Sequence, residues 1–368
     1  MVITQAQIFF SGLNQRGIYL LFSVFLCAFH SAFAQVPITA INTTNVTGIN
    51  SQYTQASPSD AGNDIDDNTT YVIRNGRGNN VEIVSYTINS NTFNNILEPD
   101  TLALRRTDGS RFVNIWYTLI TDPANNTTLD LDPDVAQDAD LIYRQKNLNS
   151  GYDNILVNDD DQATNSIQAQ TERVDIIWRK GIVTCAPENA VFPVIERGGN
   201  DEIKVAAITS IDSDGNPTGY SNMVLIDDAD WPQTGVTFNN YLILRRQTLG
   251  QDPLPLLNIG TFVPQVAQTV QGVAVPFTDF GIAANQIVYG YSLFASDVDD
   301  AIHDLTDINT FPNTTLASVS GLDLVAGVTA AVSSDNCLTP AVGPGGYKAA
   351  LATWLKANET DEVTTSTE

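Results

Sequence analysis

Period-two alternation of branched and aromatic residues is what most limits how this chain can fold. In one early stretch Val81, Ile83 and Ser85 alternate with Glu82, Val84 and Tyr86. In Arg111–Ile120, the residues Val113, Ile115, Tyr117 and Leu119 fall on one face. In Thr171–Arg179, Val174, Ile176 and Trp178 form the expected buried face. Further strands are expected at Leu102–Arg106, Val191–Ile195, Ile203–Ile211, Asn222–Ile226, Tyr241–Arg246, Leu256–Phe262, Val270–Phe277 and Gln286–Phe294. In the last of these Gly290 marks a bulge. Arg197-Gly198-Gly199-Asn200 and Ser213-Asp214-Gly215-Asn216 supply turns. Many short strands and almost no helical period predict an all-β chain of antiparallel sandwiches, jelly-roll or immunoglobulin-like.

A repeat bears on how many sandwiches there are. Leu102-x-Leu104-Arg105-Arg106 returns as Leu242-x-Leu244-Arg245-Arg246, 140 positions on, and Thr92-Phe93-Asn94-Asn95 returns at Thr237, 145 positions on. The spacing fits two copies of a whole domain, against chance recurrence of common residues. The expected order is a signal peptide over 1–34, a polar lead-in over 35–69 with one edge strand near Thr70–Ile73, and sandwiches over 70–184 and 185–337. A Pro/Gly linker over 338–346 follows, and 347–368 opens a further module or a tail. Arg16, the apolar run Ile18–Phe29 and Ala32-Phe33-Ala34 carry the signal-peptide reading, with the mature chain starting at Gln35. The apolar run is too short for a comfortable membrane span, and no longer one follows.

Charge narrows the partners. Without residues 1–34 the balance is 16 − 42 = −26, since that segment holds one Arg and no acid. A surface so acidic repels phosphate backbones, which excludes nucleic acid as a partner class. Two of the three cysteines remain, Cys185 and Cys337. They form either a disulfide bracketing the second copy or two separate thiols.

Catalytic signals are poor. His303 is the one histidine after residue 34, and no Gly-x-Ser-x-Gly or His-Glu-x-x-His is present. No catalytic residue is assigned, and the chain is read as non-enzymatic. A two-carboxylate glycosidase stays as a lesser reading, because the acids offer many pairs. Calcium is the best-matched ligand, because hard cations need several clustered oxygens. The candidate clusters are Asn63, Asp64, Asp66 and Asp67; Asn158, Asp159, Asp160 and Asp161; and Asp297, Asp299, Asp300, Asp304 and Asp307, of which the third is the best. His303 there reads as a loop residue. Trp116 and Trp178 alternate with apolar partners and are expected in the core, whereas Trp231, in Asp230-Trp231-Pro232, is the candidate sugar platform. The paired arginines are expected to ion-pair with neighbouring aspartates.

Four runs carry a family likeness: Leu102-x-Leu-Arg-Arg-Thr-Asp-Gly109, Gly151-Tyr-Asp-Asn-Ile-Leu-Val-Asn158, Glu196-Arg-Gly-Gly-Asn-Asp201 and Tyr289-Gly-Tyr-Ser-Leu-Phe-Ala-Ser-Asp297. Over roughly Tyr71–Cys337 the chain resembles the N-terminal regions of large secreted surface proteins of gliding bacteria. Gly345-Gly346 through Trp354-Leu355-Lys356-Ala357-Asn358 is similar to the opening of the concanavalin-like, laminin-G-type lectin modules that follow in such proteins. The resemblance implies an adhesin-like molecule exported by the type IX route, displayed outside the cell and cut here at the start of its lectin module. Its implied partners are extracellular glycans or proteins. The expected function is a structural module that spaces or presents binding domains, with a carbohydrate-binding module as the alternative.

Overall fold

A computed structural model of the chain describes residues 35–46, 80–105, 114–118, 146, 148, 150–152, 154–158, 171–238, 241–245, 259–263, 268–313, 315–325, 328–333 and 339–340. The strands are β1 (Val36–Val46), β2 (Asn80–Ile88), β3 (Asn91–Leu97), β4 (Thr101–Arg105), β5 (Asn114–Thr118), β6 (Ser150–Tyr152), β7 (Arg173–Val183), β8 (Ala190–Arg197) and β9 (Ile203–Ile211). They continue as β10 (Pro217–Ile226), β11 (Gln233–Phe238), β12 (Tyr241–Arg245), β13 (Ile259–Val263), β14 (Gln268–Pro276), β15 (Ile287–Ala295), β16 (Ala330–Ser333) and β17 (Thr339–Pro340). The chain is all-β, as the alternation predicts.

One sheet runs β1-β2-β3-β16-β8-β14-β11, and β1 also pairs with β14. That extra pairing, Val36 opposite Ala274 and Pro37 opposite Val273, closes β1, β2, β3, β16, β8 and β14 into an antiparallel barrel. Closure removes the free strand edges that an open sheet exposes. Ile38, Ile83, Tyr86, Ile88, Phe93, Val191, Ile195, Val270, Ala274 and Ala331 belong to one buried cluster, drawn from all six of these strands. A fully buried side chain of this size stabilises by roughly 1.5–3 kcal/mol. Tyr86 hydrogen-bonds through its hydroxyl to Thr329 Oγ1 at 3.0 Å, so the ring is buried without stranding its polar end. The β2–β3 hairpin turns through Asn89 and Ser90, both at positive φ (48° and 65°), the hand that matches strand twist.

The alternate residues of the same strands face outward onto a second layer. Phe192 and Val194 of β8, Val273 and Val275 of β14, and Val332 of β16 join a second cluster. They meet Val174, Ile176 and Trp178 of β7, Val205 of β9, and Tyr291 and Leu293 of β15. Phe192 is the hub, with ring centroids 4.5 Å from both Tyr291 and Phe277 and 6.0 Å from Trp178. This second sheet runs β10-β9-β15-β7-β17, with β4 also on β7. A third, β13-β12-β5-β6, is joined to the barrel by the strip Leu322–Val325. Val325 bridges Gly151 of β6, and Leu324 bridges Glu196 of β8.

The expected boundary at 184/185 does not separate two sandwiches. In the barrel, β1 pairs with β14 and β3 with β16; in the second sheet, β7, which carries β4, pairs with β15 and β17; in the third, β5 pairs with β12. The two Leu-x-Leu-Arg-Arg runs both form strands but in unlike settings: β4 lies on β7, whereas β12 lies between β5 and β13. A short strand motif specifies extension, not its neighbour. The lead-in also differs from expectation, because Val36–Val46 is a full barrel strand. Thr339–Pro340, placed in the expected linker, pairs with Val183 and Ile182 of β7. Residues 347–368, the segment near Thr70–Ile73 and the signal-peptide region lie outside the described residues.

Candidate functional site

Among the described residues two groups of buried charged side chains stand out, each built from neighbouring strands. The first centres on Asp175 of β7, which has no exposed surface. Its carboxylate accepts Arg105 Nε at 2.7 Å, Arg173 Nε at 2.7 Å and Ser292 Oγ at 2.7 Å. Tyr220 OH donates more weakly to it, at 3.4 Å, and lies 3.1 Å from Ser292 Oγ. The Arg173 guanidinium stands 5.6 Å from the centroid of the Tyr220 ring and donates to Leu305 O at 2.5 Å. Burial, reinforced by the Asp175 carboxylate, pushes the Tyr220 phenol well up, so it serves as a donor and not as a base. With its oxygens all engaged, Asp175 ties β4, β7, β10 and β15 together. Arg105 is the member of the arginine pairs whose side chain is described, and it ion-pairs with an aspartate as the sequence suggests.

The second group lies where β8 turns into β9. Glu196 is fully buried, and no hydrogen bond of ordinary geometry reaches either of its carboxyl oxygens. Desolvation, together with Asp201 and Asp323 beside it, pushes its carboxyl up to about 10. Arg197 donates to Asp323 Oδ2 at 2.5 Å, and Asn154 N donates to Asp323 Oδ1 at 3.0 Å. The turn itself passes through Gly198 and Gly199 at φ 127° and 73°. A Cβ on Gly199 would meet the Gln271 side chain at 2.0 Å.

The residues singled out in the sequence are placed as follows. Trp231 is not an exposed platform: it is 7% exposed, packs in the core between the layers and donates Nε1 to Asp201 O at 2.6 Å. A large indole gains more from burial than from solvent, provided its N–H finds a partner. Trp178 is buried as expected, while of Trp116 the backbone alone, in β5, is described. Asp297, Asp299, Asp300, Asp304 and Asp307 share one loop after β15, where Asp299, Asp304 and Asp307 serve local turns. Asp297 accepts Thr315 Oγ1 at 2.9 Å. Asp299 accepts Ala301 N at 2.9 Å, Asp304 accepts Thr306 N at 2.9 Å, and Asp307 accepts Asn309 N at 3.0 Å. Asp300 is exposed. Among the described residues no group of three or more His, Cys, Asp or Glu side chains is set to hold a metal. His303 is half-buried, accepting Asp299 N through Nδ1 at 2.9 Å and meeting Phe311 edge-on at 6.2 Å. Of the other two acidic clusters, Asn158 alone is described; it bridges Thr315, and its amide donates to Glu172.

Cys185 is disulfide-bonded. Its expected partner, Cys337, lies outside the described residues, but Thr339 pairs with Val183 in antiparallel register. No helix among the described residues is long and apolar enough to cross a membrane. Comparison with models of known protein families, with curated proteins and with solved structures yields no match.

Proposed function

We propose that this chain is a non-enzymatic extracellular or cell-surface module, adhesin-like in its setting, that spaces or presents binding domains. The observation that carries the reading is how the described charged groups are used. Asp175 and its arginines lash four strands together, and the acids after β15 hold their own loop. Such side chains hold strands and turns rather than lining an open cleft. The disulfide at Cys185 supports an oxidising setting, where such bonds persist. The burial of Trp231 weighs against the carbohydrate-binding alternative.

The test uses residues 35–368, purified in oxidised form, on a glycan array and on a panel of glycan substrates. The expected result is neither binding nor turnover, together with recovery of the tagged chain by protease shaving of intact cells. Turnover lost on replacing one acidic residue would establish a hydrolase instead. Retention of the chain in the cytoplasm would end the surface reading.

A further inference from the structure

We propose that the disulfide at Cys185 is a mechanical latch: it joins Cys337, and it passes a pull arriving from beyond Pro340 into β7 instead of into the barrel. This rests on the spacer reading above, because a module that spaces others stands in the path of tension. Cys185 is disulfide-bonded, and Cys337 is the partner left once Cys27, in the expected signal peptide, is set aside. Thr339 pairs with Val183, and Pro340 with Ile182. Cys185 comes two residues after Val183 in the sequence, and Cys337 two before Thr339. In an antiparallel ladder, residues at equal steps from a pair come opposite one another.

The latch matters because the last described strands are short. β17 has two residues, and one of them, Pro340, has no N–H to donate. Without the bond, tension at Pro340 peels β17 from β7 and reaches β16 next. β16 is four residues long and stands in the barrel between β3 and β8. Its Ala330 lies opposite Leu97, and its Ala331 opposite both Ile96 and Val191. Ala330, Ala331 and Val332 are fully buried, and just before them Thr329 Oγ1 meets the Tyr86 hydroxyl at 3.0 Å. Ala331 belongs to the cluster inside the barrel, Ala330 and Val332 to the layer outside it. Drawing out β16 therefore opens the barrel and disturbs both cores at once.

With the bond in place the pull takes another route. It crosses at Cys185 and enters β7, whose eleven residues lie between β15 on one side and β4 with β17 on the other. Asp175 of that strand is held from β4, β15 and β10 by Arg105, Ser292 and Tyr220. The residues between the two cysteines, which carry β8 to β16, become a closed loop that no pull lengthens. Strands before Cys185 are paired to that loop: β1 to β14, β3 to β16, β5 to β12 and β7 to β15. The four residues of β16 thus cease to be the place where the fold yields.

The test stretches single molecules of residues 35–368 by handles at the two ends, oxidised and after treatment with a dithiol. The dithiol supplies two electrons: the S–S bond opens to two thiols, and the reagent closes on itself as a disulfide. The cysteines are 152 positions apart (337 − 185). Full extension of the oxidised chain is therefore expected to fall short of the reduced chain by roughly 500 Å, at about 3.3 Å per residue. The first yielding step is expected at lower force after reduction, and Cys185→Ser is expected to behave as the reduced chain does without any dithiol. Equal extension in the two states would overturn the pairing. A first step at the same force in both would overturn the latch. Neither result bears on where the protein resides: the surface reading falls by the shaving experiment, the latch by this one.

Discussion

Gly290 and Gly281 both sit at positive φ, yet they answer to different physics. At Gly281 (φ +73°) nothing lies within 4 Å of where a Cβ would stand. Alanine there meets left-handed strain alone, about 1–2 kcal/mol. At Gly290 (φ +135°) a Cβ would come 1.9 Å from the Ile176 carbonyl oxygen. The register of β15 against β7 shifts just there, between Val288 and Gly290, so the backbones have no slack to give. Gly290→Ala is therefore expected to lower stability by on the order of 3 kcal/mol or more, and Gly281→Ala by far less, in parallel urea titrations. Asp175 gives the second prediction at this scale. Removing its charge leaves Arg173, whose side chain is 4% exposed, without its anion. Asp175→Asn is expected to lose about 3–5 kcal/mol, read as a drop in the urea midpoint at unchanged slope.

Among the elements, the loop after β15 is where the calcium expectation is to be tested. Asp299, Asp304 and Asp307 accept from N–H groups two residues ahead, the short-range pattern of turns, and Val298, Leu305 and Phe311 anchor the loop in the core. Melting with and without chelator is expected to give the same midpoint; a fall of several degrees would restore a metal at these acids. The strands show what alternation can reveal. Ile203–Ile211 is found at its expected ends, and β2, β7, β14 and β15 lie within a few residues of theirs. β1 escaped because register shifts at Ile38/Ala40 and Asn42/Thr43 break its alternation among Asn and Thr residues. β16 escaped because Ala330-Ala331-Val332-Ser333 is too short and too small in side chain to show a period. Burial of Trp231 was hidden for another reason: its partner carbonyl, on Asp201, is 30 residues away. Glu196 left one local trace, an acid continuing the Phe192, Val194 face that turns out to be the core side of β8.

Pairing partners belong to the scale of the whole molecule, where local pattern is silent. Cys185 illustrates this. The sequence offers two cysteines beyond residue 34, and the fold brings Thr339 opposite Val183 of β7, the strand that ends just before Cys185. A peptide map without reductant is expected to join Cys185 to Cys337. Cys185→Ser is expected to lose about 4–5 kcal/mol, the chain-entropy value for so long a loop, read as a lower melting temperature under oxidising conditions. A free Cys337 in the native protein would refute the pairing.

The β1–β14 seam has a consequence for how such a chain is made. Synthesis delivers Val36 and Pro37 long before Val273 and Ala274 exist to receive them. The first stave must therefore wait, its Ile38 and Ile41 without their final packing, while most of the cylinder is assembled. Contacts so distant in sequence form slowly. Keeping that apolar ribbon from straying is a task for whatever escorts the nascent polypeptide, and it ends only when the last stave arrives.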